Sequence, residues 1–298
     1  MNLPDIAIFN FSNLNDQEVQ DAIRAVNRQV IEDFLPIWGC GRLARLLAAS
    51  YSPGDEGSLM EESVQADSAI YLVNEGTLQD ALGYHSMNTK EVPVGFVYVN
   101  PGDWTITLSH EVLELIVDPS VNIFVPGQDP RYPDDPDAWL WHAYEACDAV
   151  ESTSYAIDGV EVSNFLTPQY FAEGDAAGTR NDFLGAGVTS FNLLAGCHIG
   201  AINPLNSEWE EIQAASVQGA EGRDANSRRF RMAARGIVNQ KSPKPLRPSD
   251  AIFAELIETY NRCHPGKCRE LPELRGISRT GRYRAVSQQR RDQLARKR

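Results

Sequence analysis

The chain has 298 residues, 42% of them apolar and 23% charged, with a net charge of −14. That balance excludes a wholly disordered chain, and the length allows one large domain or two ordinary ones without help from disulfides. No run of 18 apolar residues is present, which argues against a membrane-spanning helix. The charge is unevenly placed: residues 221–298 hold 20 Lys and Arg against 8 Asp and Glu, whereas residues 1–220 hold 7 against 33. The expected organisation is an acidic domain over 1–219 and a basic extension over 220–298 with one short helix.

Residues 6–11 (IAIFNF) predict a first strand. Asn15 or Asp16 caps a helix from Gln17, in which Val19, Ile23, Val26, Val30, Ile31 and Phe34 recur at helical spacing until Pro36 ends it. Residues 42–50 and 69–74 predict two further strands around an acidic, small-residue loop, and 94–99 (VGFVYV) a fourth. Pro101-Gly102-Asp103 breaks the chain. Residues 105–117 (TITLSHEVLELIV) then predict a helix that Asp118-Pro119 stops. A loop rich in Pro and Asp follows, and 137–151 reads as another helix. Residues 155–165 predict a hairpin around Asp158-Gly159, and 183–204 irregular structure with short strands. In the extension, 242–248 has linker composition, 251–260 is amphipathic, and the residues from 269 read as disordered.

The chemistry concentrates in His110-Glu111-Val112-Leu113-Glu114. On a helix His110 and Glu114 share one face and can ligate one ion, while Glu111 stands where H-E-x-x-H zinc peptidases carry their general base. The surrounding helix is apolar nearly all round, so it is expected to be buried. Burying an imidazole and two carboxylates without a partner costs several kcal/mol per charge, and a metal ion removes that cost. With only 7 basic side chains in residues 1–220, other partners are scarce. A third ligand is sought among His142, Glu145, Asp148 and Glu151, spaced by three. Glu145 is the candidate, with Asp148 or Asp118 as a substitute ligand or brace; were the segment a strand, Glu145 and Asp148 would face opposite ways. His142, Tyr144, Tyr155 and His198 are candidates for contacting a substrate or an oxyanion. His85 reads as a surface-loop histidine, and Cys197-His198 as core packing.

These residues resemble uncharacterised bacterial and phage-associated proteins of zincin-like, metallopeptidase-like type. The resemblance rests on ITLSHEVLELIVDP (106–119), YEACDAVE (144–151), YAIDGVEVSNFLTPQYF (155–171), and Gln29, Asp33, Phe34 and Trp38 within 26–38. It covers most of residues 1–215. It implies an α+β, zincin-like mixed sheet packed on a buried active-site helix, with metal held by His110 and Glu114. The expected function is a zinc hydrolase, most simply a peptidase with a peptide or protein substrate. The alternative is a non-catalytic module with a structural ion, attached to a partner or particle through its basic, partly disordered C-terminal tail.

The first residues, MNLPDIAIFNFSNLND, lack a basic and then apolar signal segment, so a cytoplasmic protein with reduced cysteines is expected, with association with a phage or other particle as a further expectation. Cys263 and Cys268 read as free thiols. An acidic domain would repel DNA, so an acidic protein is the expected partner for the tail and nucleic acid is disfavoured.

Overall fold

The computed structural model describes residues 5–48, 55–64, 66–76, 81–100, 102–172, 175, 178–204, 208–214 and 217. The basic extension, where a linker and a short helix are expected and two cysteines lie, is outside the described residues.

The fold is α+β. Its first sheet contains β1 (Asp5–Asn10), β2 (Leu43–Leu46), β3 (Ser68–Val73), β4 (Gly83–Met87) and β5 (Pro93–Tyr98), in the order β2-β1-β3-β5-β4. The first four in that order run parallel, and β4 is antiparallel to β5. Both faces are covered. Ile6, Ile8, Ile70, Leu72 and Val97 face the helices, while Ala7, Phe9, Ala69, Tyr71, Phe96 and Tyr98 form a separate aromatic layer. Parallel strands buried on both faces read as continuous apolar runs, which is why 69–74 and 94–99 were legible.

Helix α1 (Asp16–Arg28) starts at Asn15, whose side chain accepts from the Glu18 N–H while Glu18 caps the Asn15 N–H in return. Pro36 does not end it. The chain continues through a π-helical stretch, Gln29–Phe34, into α2 (Leu35–Trp38). The widened turn places Pro36 in the first turn of a fresh α segment, where its missing N–H leaves no bond unmade. Gly39, at φ 70°, closes the helix. A short α3 (Glu56–Leu59) precedes β3.

Helix α4 (Trp104–Val117) packs against β4, β5 and α1 and against the hairpin β8 (Ser154–Ile157)–β9 (Val160–Ser163). That hairpin turns at Asp158 (φ 52°) and Gly159 (φ 81°), as the Asp-Gly pair predicts. A second, antiparallel sheet has the order β11-β10-β7-β6, built from β6 (Phe124–Gln128), β7 (Trp139–Ala143), β10 (His198–Asn203) and β11 (Glu208–Gln213).

Three expectations are corrected. Residues 137–151 are not a helix: 139–143 form β7, held between β6 and β10, and 148–150 form a single 3₁₀ turn. Part of the Pro- and Asp-rich loop is β6, which gives β7 its partner. His85 is not on a surface loop; it sits in β4, 1% exposed. Among the described residues no helix is long and apolar enough to cross a membrane.

One buried side chain ties the helices together. Gln29, in the π-helical stretch, accepts from Ser109 Oγ at 2.7 Å and donates to the Ser163 carbonyl at 2.7 Å. Ser109 Oγ in turn accepts from the Ser163 N–H at 3.0 Å. Gln29→Leu would remove the acceptor of the buried Ser109 hydroxyl proton and a donor to the buried Ser163 carbonyl. We expect a loss of about 3 kcal/mol, read as a lower urea midpoint at unchanged slope.

Candidate metal centre

Along α4, Thr107, Glu111, Glu114 and Asp118 fall on one face by helical spacing. The register of β4 decides what they meet. Gly83 pairs with Val97 and His85 with Gly95, so both point to the helix side of the sheet, whereas Tyr84 joins the aromatic layer. A Cβ at Gly83 would lie 2.7 Å from the Phe96 carbonyl oxygen and 2.8 Å from Glu111 Oε1. Glycine is therefore what lets β4 close onto α4. His85 then sits over the helix: its Nδ1 lies 3.2 Å from Glu111 Oε2 and 3.6 Å from Glu114 Oε2.

The segment after β7 supplies the other wall. His110 Nε2 is 3.1 Å from Glu114 Oε2 and 3.2 Å from Asp148 Oδ1. Cys147 donates its N–H to Glu114 Oε1 at 3.0 Å. From β10, His198 Nδ1 meets Glu151 at 2.9 Å, and its Nε2 lies 3.7 Å from Asp148 Oδ2. Carboxylates and imidazoles thus alternate in one network, from Glu151 through His198, Asp148, His110 and Glu114 to His85. The stripe spaced by three partly survives the loss of its helix because a 3₁₀ turn repeats every three residues. Asp148 and Glu151 stay on one side, and Glu145 and Asp148 both face the network.

Every member is buried, with Glu111 1%, Glu114 2%, Glu145 2% and Asp148 4% exposed. Burial opposes both carboxylates on the helix, yet they end apart. Burial raises Glu111, although His85 and His110 pull against it, whereas at Glu114 the charge and hydrogen bond of His110 overcome burial and lower it. A pair driven in opposite directions suits one carboxylate to carrying a proton and the other to staying anionic. At His110 and His85 burial disfavours the imidazolium, but Glu114 and Asp148 raise the first and Glu111 raises the second. Glu145 is pushed well up by burial and then by the charge of Glu114. Burial also pushes Asp118 up to about 6.

Some oxygens here have no hydrogen bond: both of Glu145, Oδ2 of Asp148 and Oδ1 of Asp118. Two sets of potential ligand atoms converge to within 4.8 Å of one another: His110, Glu114 and Cys147, and His85, Glu111 and Glu114. These are buried His, Glu and Cys groups that could hold a metal ion. Glu145, the third ligand expected from sequence, lies instead against His85, 3.4 Å from Nε2. Asp148 braces His110, and Asp118 accepts from the Ile123 N–H at 2.8 Å.

Compared with known proteins, the chain matches no family model and no curated protein. The site therefore stands on its geometry.

Of the substrate-contact candidates, Tyr155 donates to Asp33 at 2.7 Å and accepts from Gln29, so it is engaged on the α1 side of α4. Tyr144 packs against Trp38 and Phe171. His198 belongs to the network, where Glu151 and Asp148 overcome burial and raise it to about 9. The residues that sequence reasoning missed are His85 and Cys147. For His85 the available signal was GYHSM, a short alternating run before VGFVYV; for Cys147 it was proximity to Glu145 and Asp148.

His142 lies apart in β7, its Nε2–H donating to the Gln128 carbonyl across 3.0 Å, and burial lowers it to about 4. A carbonyl only accepts, so Nε2 carries the proton. A histidine whose folded pKa is depressed stabilises the fold fully above its unfolded value near 6.5, and that contribution is lost as pH falls toward 4. Between pH 7 and pH 5 the wild type should lose about 2 kcal/mol more than His142→Gln in urea titrations. Equal losses would show that His142 is not buried neutral.

Proposed function

We propose that the chain is a metal-dependent hydrolase of zincin-like type that acts on peptides or proteins, with zinc as its ion. The observation that carries this reading is the convergence of buried ligand atoms of His110, Glu114 and Cys147 to within 4.8 Å of one another, with Glu111 next to His110 on the same helix and an edge strand above it. The donor set fits such an ion: its imidazole, carboxylate and thiol groups suit zinc, and beside it both oxygens of Glu145 and Oδ2 of Asp148 are buried without a hydrogen bond. His110 and Glu114 would hold it. Cys147 is the third group that converges with them, and Glu145 and Asp148 stand next to that set. An ion held there supplies Lewis acidity toward a carbonyl oxygen.

The chain's own groups do the rest. Glu111 takes the proton of the attacking water and returns it to the leaving amine. His85 orients Glu111 through Oε2. Asp148 holds His110, and the Cys147 N–H holds Glu114. Strand β4 ends the first sheet, and an extended peptide is the substrate that pairs with such an edge.

A second reading is favoured by burial: none of these groups is more than 4% exposed. On that reading the ion only clasps α4 to the segment after β7, and the protein works by binding, with residues 220–298 attaching it to an acidic protein or a particle.

Two variants decide. Elemental analysis should find zinc in the purified chain and about one ion less in His110→Ala; equal zinc contents would overturn the site. Glu111→Gln should keep the ion held by His110 while cleavage of a mixed peptide library falls at least about 100-fold. A library cleaved equally by wild type and Glu111→Gln would overturn the role of Glu111. One left intact by zinc-loaded wild type would favour the structural reading.

A further inference from the structure

The three groups on the β4 side of α4 form a site of their own. The ligand atoms of His85, Glu111 and Glu114 lie within 4.8 Å of one another, and this set shares only Glu114 with the set of His110 and Cys147. Glu114 Oε2 lies between the two imidazoles, 3.6 Å from His85 Nδ1 and 3.1 Å from His110 Nε2, while its Oε1 is held by the Cys147 N–H. A carboxylate so placed can bridge two ions.

The surroundings of His85 point the same way. Its Nδ1 faces the two helix carboxylates, and its Nε2 faces Glu145 Oε2 at 3.4 Å. An imidazole with one nitrogen toward the ligands and the other toward an outer carboxylate is the usual arrangement of a metal-bound histidine. Glu145 is 2% exposed, and neither of its oxygens has a hydrogen bond. The buried carboxyl groups of Glu111, Glu114, Asp118, Glu145, Asp148 and Glu151 outnumber the three imidazoles of His85, His110 and His198, so carboxyl ligands are in excess around the two sets.

We propose that His85, Glu111 and Glu114 bind a second divalent cation, which shares Glu114 with the ion at His110. The proposal rests on the reading of His110 and Glu114 as an ion site. Imidazole with two carboxylates suits zinc, manganese, iron or cobalt in the divalent state. Two ions bridged by one carboxylate would sit about 3.5–4 Å apart, the spacing of two-metal hydrolases. Glu111 would use Oε2 for the ion and keep Oε1 for proton transfer.

The test is metal stoichiometry on the full chain, stripped with chelator, dialysed against Mn²⁺ or Zn²⁺ alone and measured by elemental analysis. Wild type should hold two ions per chain. His85→Asn, His110→Ala and the near-isosteric Glu111→Gln should each hold one, with circular dichroism confirming the fold of each. Manganese-loaded wild type should give an exchange-coupled electron paramagnetic resonance spectrum, and His85→Asn the isolated six-line signal. One ion in wild type that survives His85→Asn and is lost in His110→Ala would overturn the second site and leave the first standing. One ion lost in both variants would mean a single shared ion and would also overturn it. No ion in wild type would overturn both.

Discussion

Helix α4 carries carboxylates where water cannot reach them. An unpaired buried charge is among the largest penalties a fold can contain, and the described residues around α4 answer it with histidines. Each neighbouring element contributes: β4 brings His85, the 3₁₀ turn brings Asp148 behind His110, and β10 brings His198 behind Asp148. The resulting network is acid-rich, and its buried His, Glu and Cys groups could hold a cation. Were an ion bound there, its binding free energy would add to that of folding.

Positioning follows from strand register and close approach. A one-residue slip of β4 would turn His85 into the aromatic layer and Tyr84 onto the helix. Gly83 prevents any side chain from holding β4 off Glu111. On the opposite side, Gln29 anchors Ser109 to β9 and so fixes the rotation of α4 about its axis. The π-helical stretch that presents Gln29 is the local irregularity that makes this possible; such bulges often mark functional regions.

Burial separates chemically similar residues. Glu111 and Glu114 lie three positions apart on one helix, yet one carboxyl is raised and the other lowered, because His110 and the Cys147 N–H converge on Glu114. His142 and His198 sit on neighbouring strands of the second sheet and diverge as well. His142 meets a carbonyl and an aromatic ring, whereas His198 meets two carboxylates. Identity of residue type says little about protonation until the neighbours are known.

Periodicity and composition determined the parts that depend on local signals. These were the strands 69–74 and 94–99, the capped helix after Asn15, the buried helix over 105–117, the Asp-Gly hairpin, and His110, Glu111 and Glu114 on one helix. A helix apolar nearly all round is buried in any fold, so the burial of its embedded acids could be read without knowing their partners. Tertiary structure decided the rest. A run such as DAWLWHAYEACDAVE satisfies both a spacing of three and an alternation of two, and only pairing with β6 and β10 selected the strand. His85 lies 25 residues before His110, and nothing local tells that β4 returns antiparallel at the sheet edge to lay it over α4. Helix type, charge and burial are written along the chain, but which distant groups neutralise a buried charge is set by register and topology.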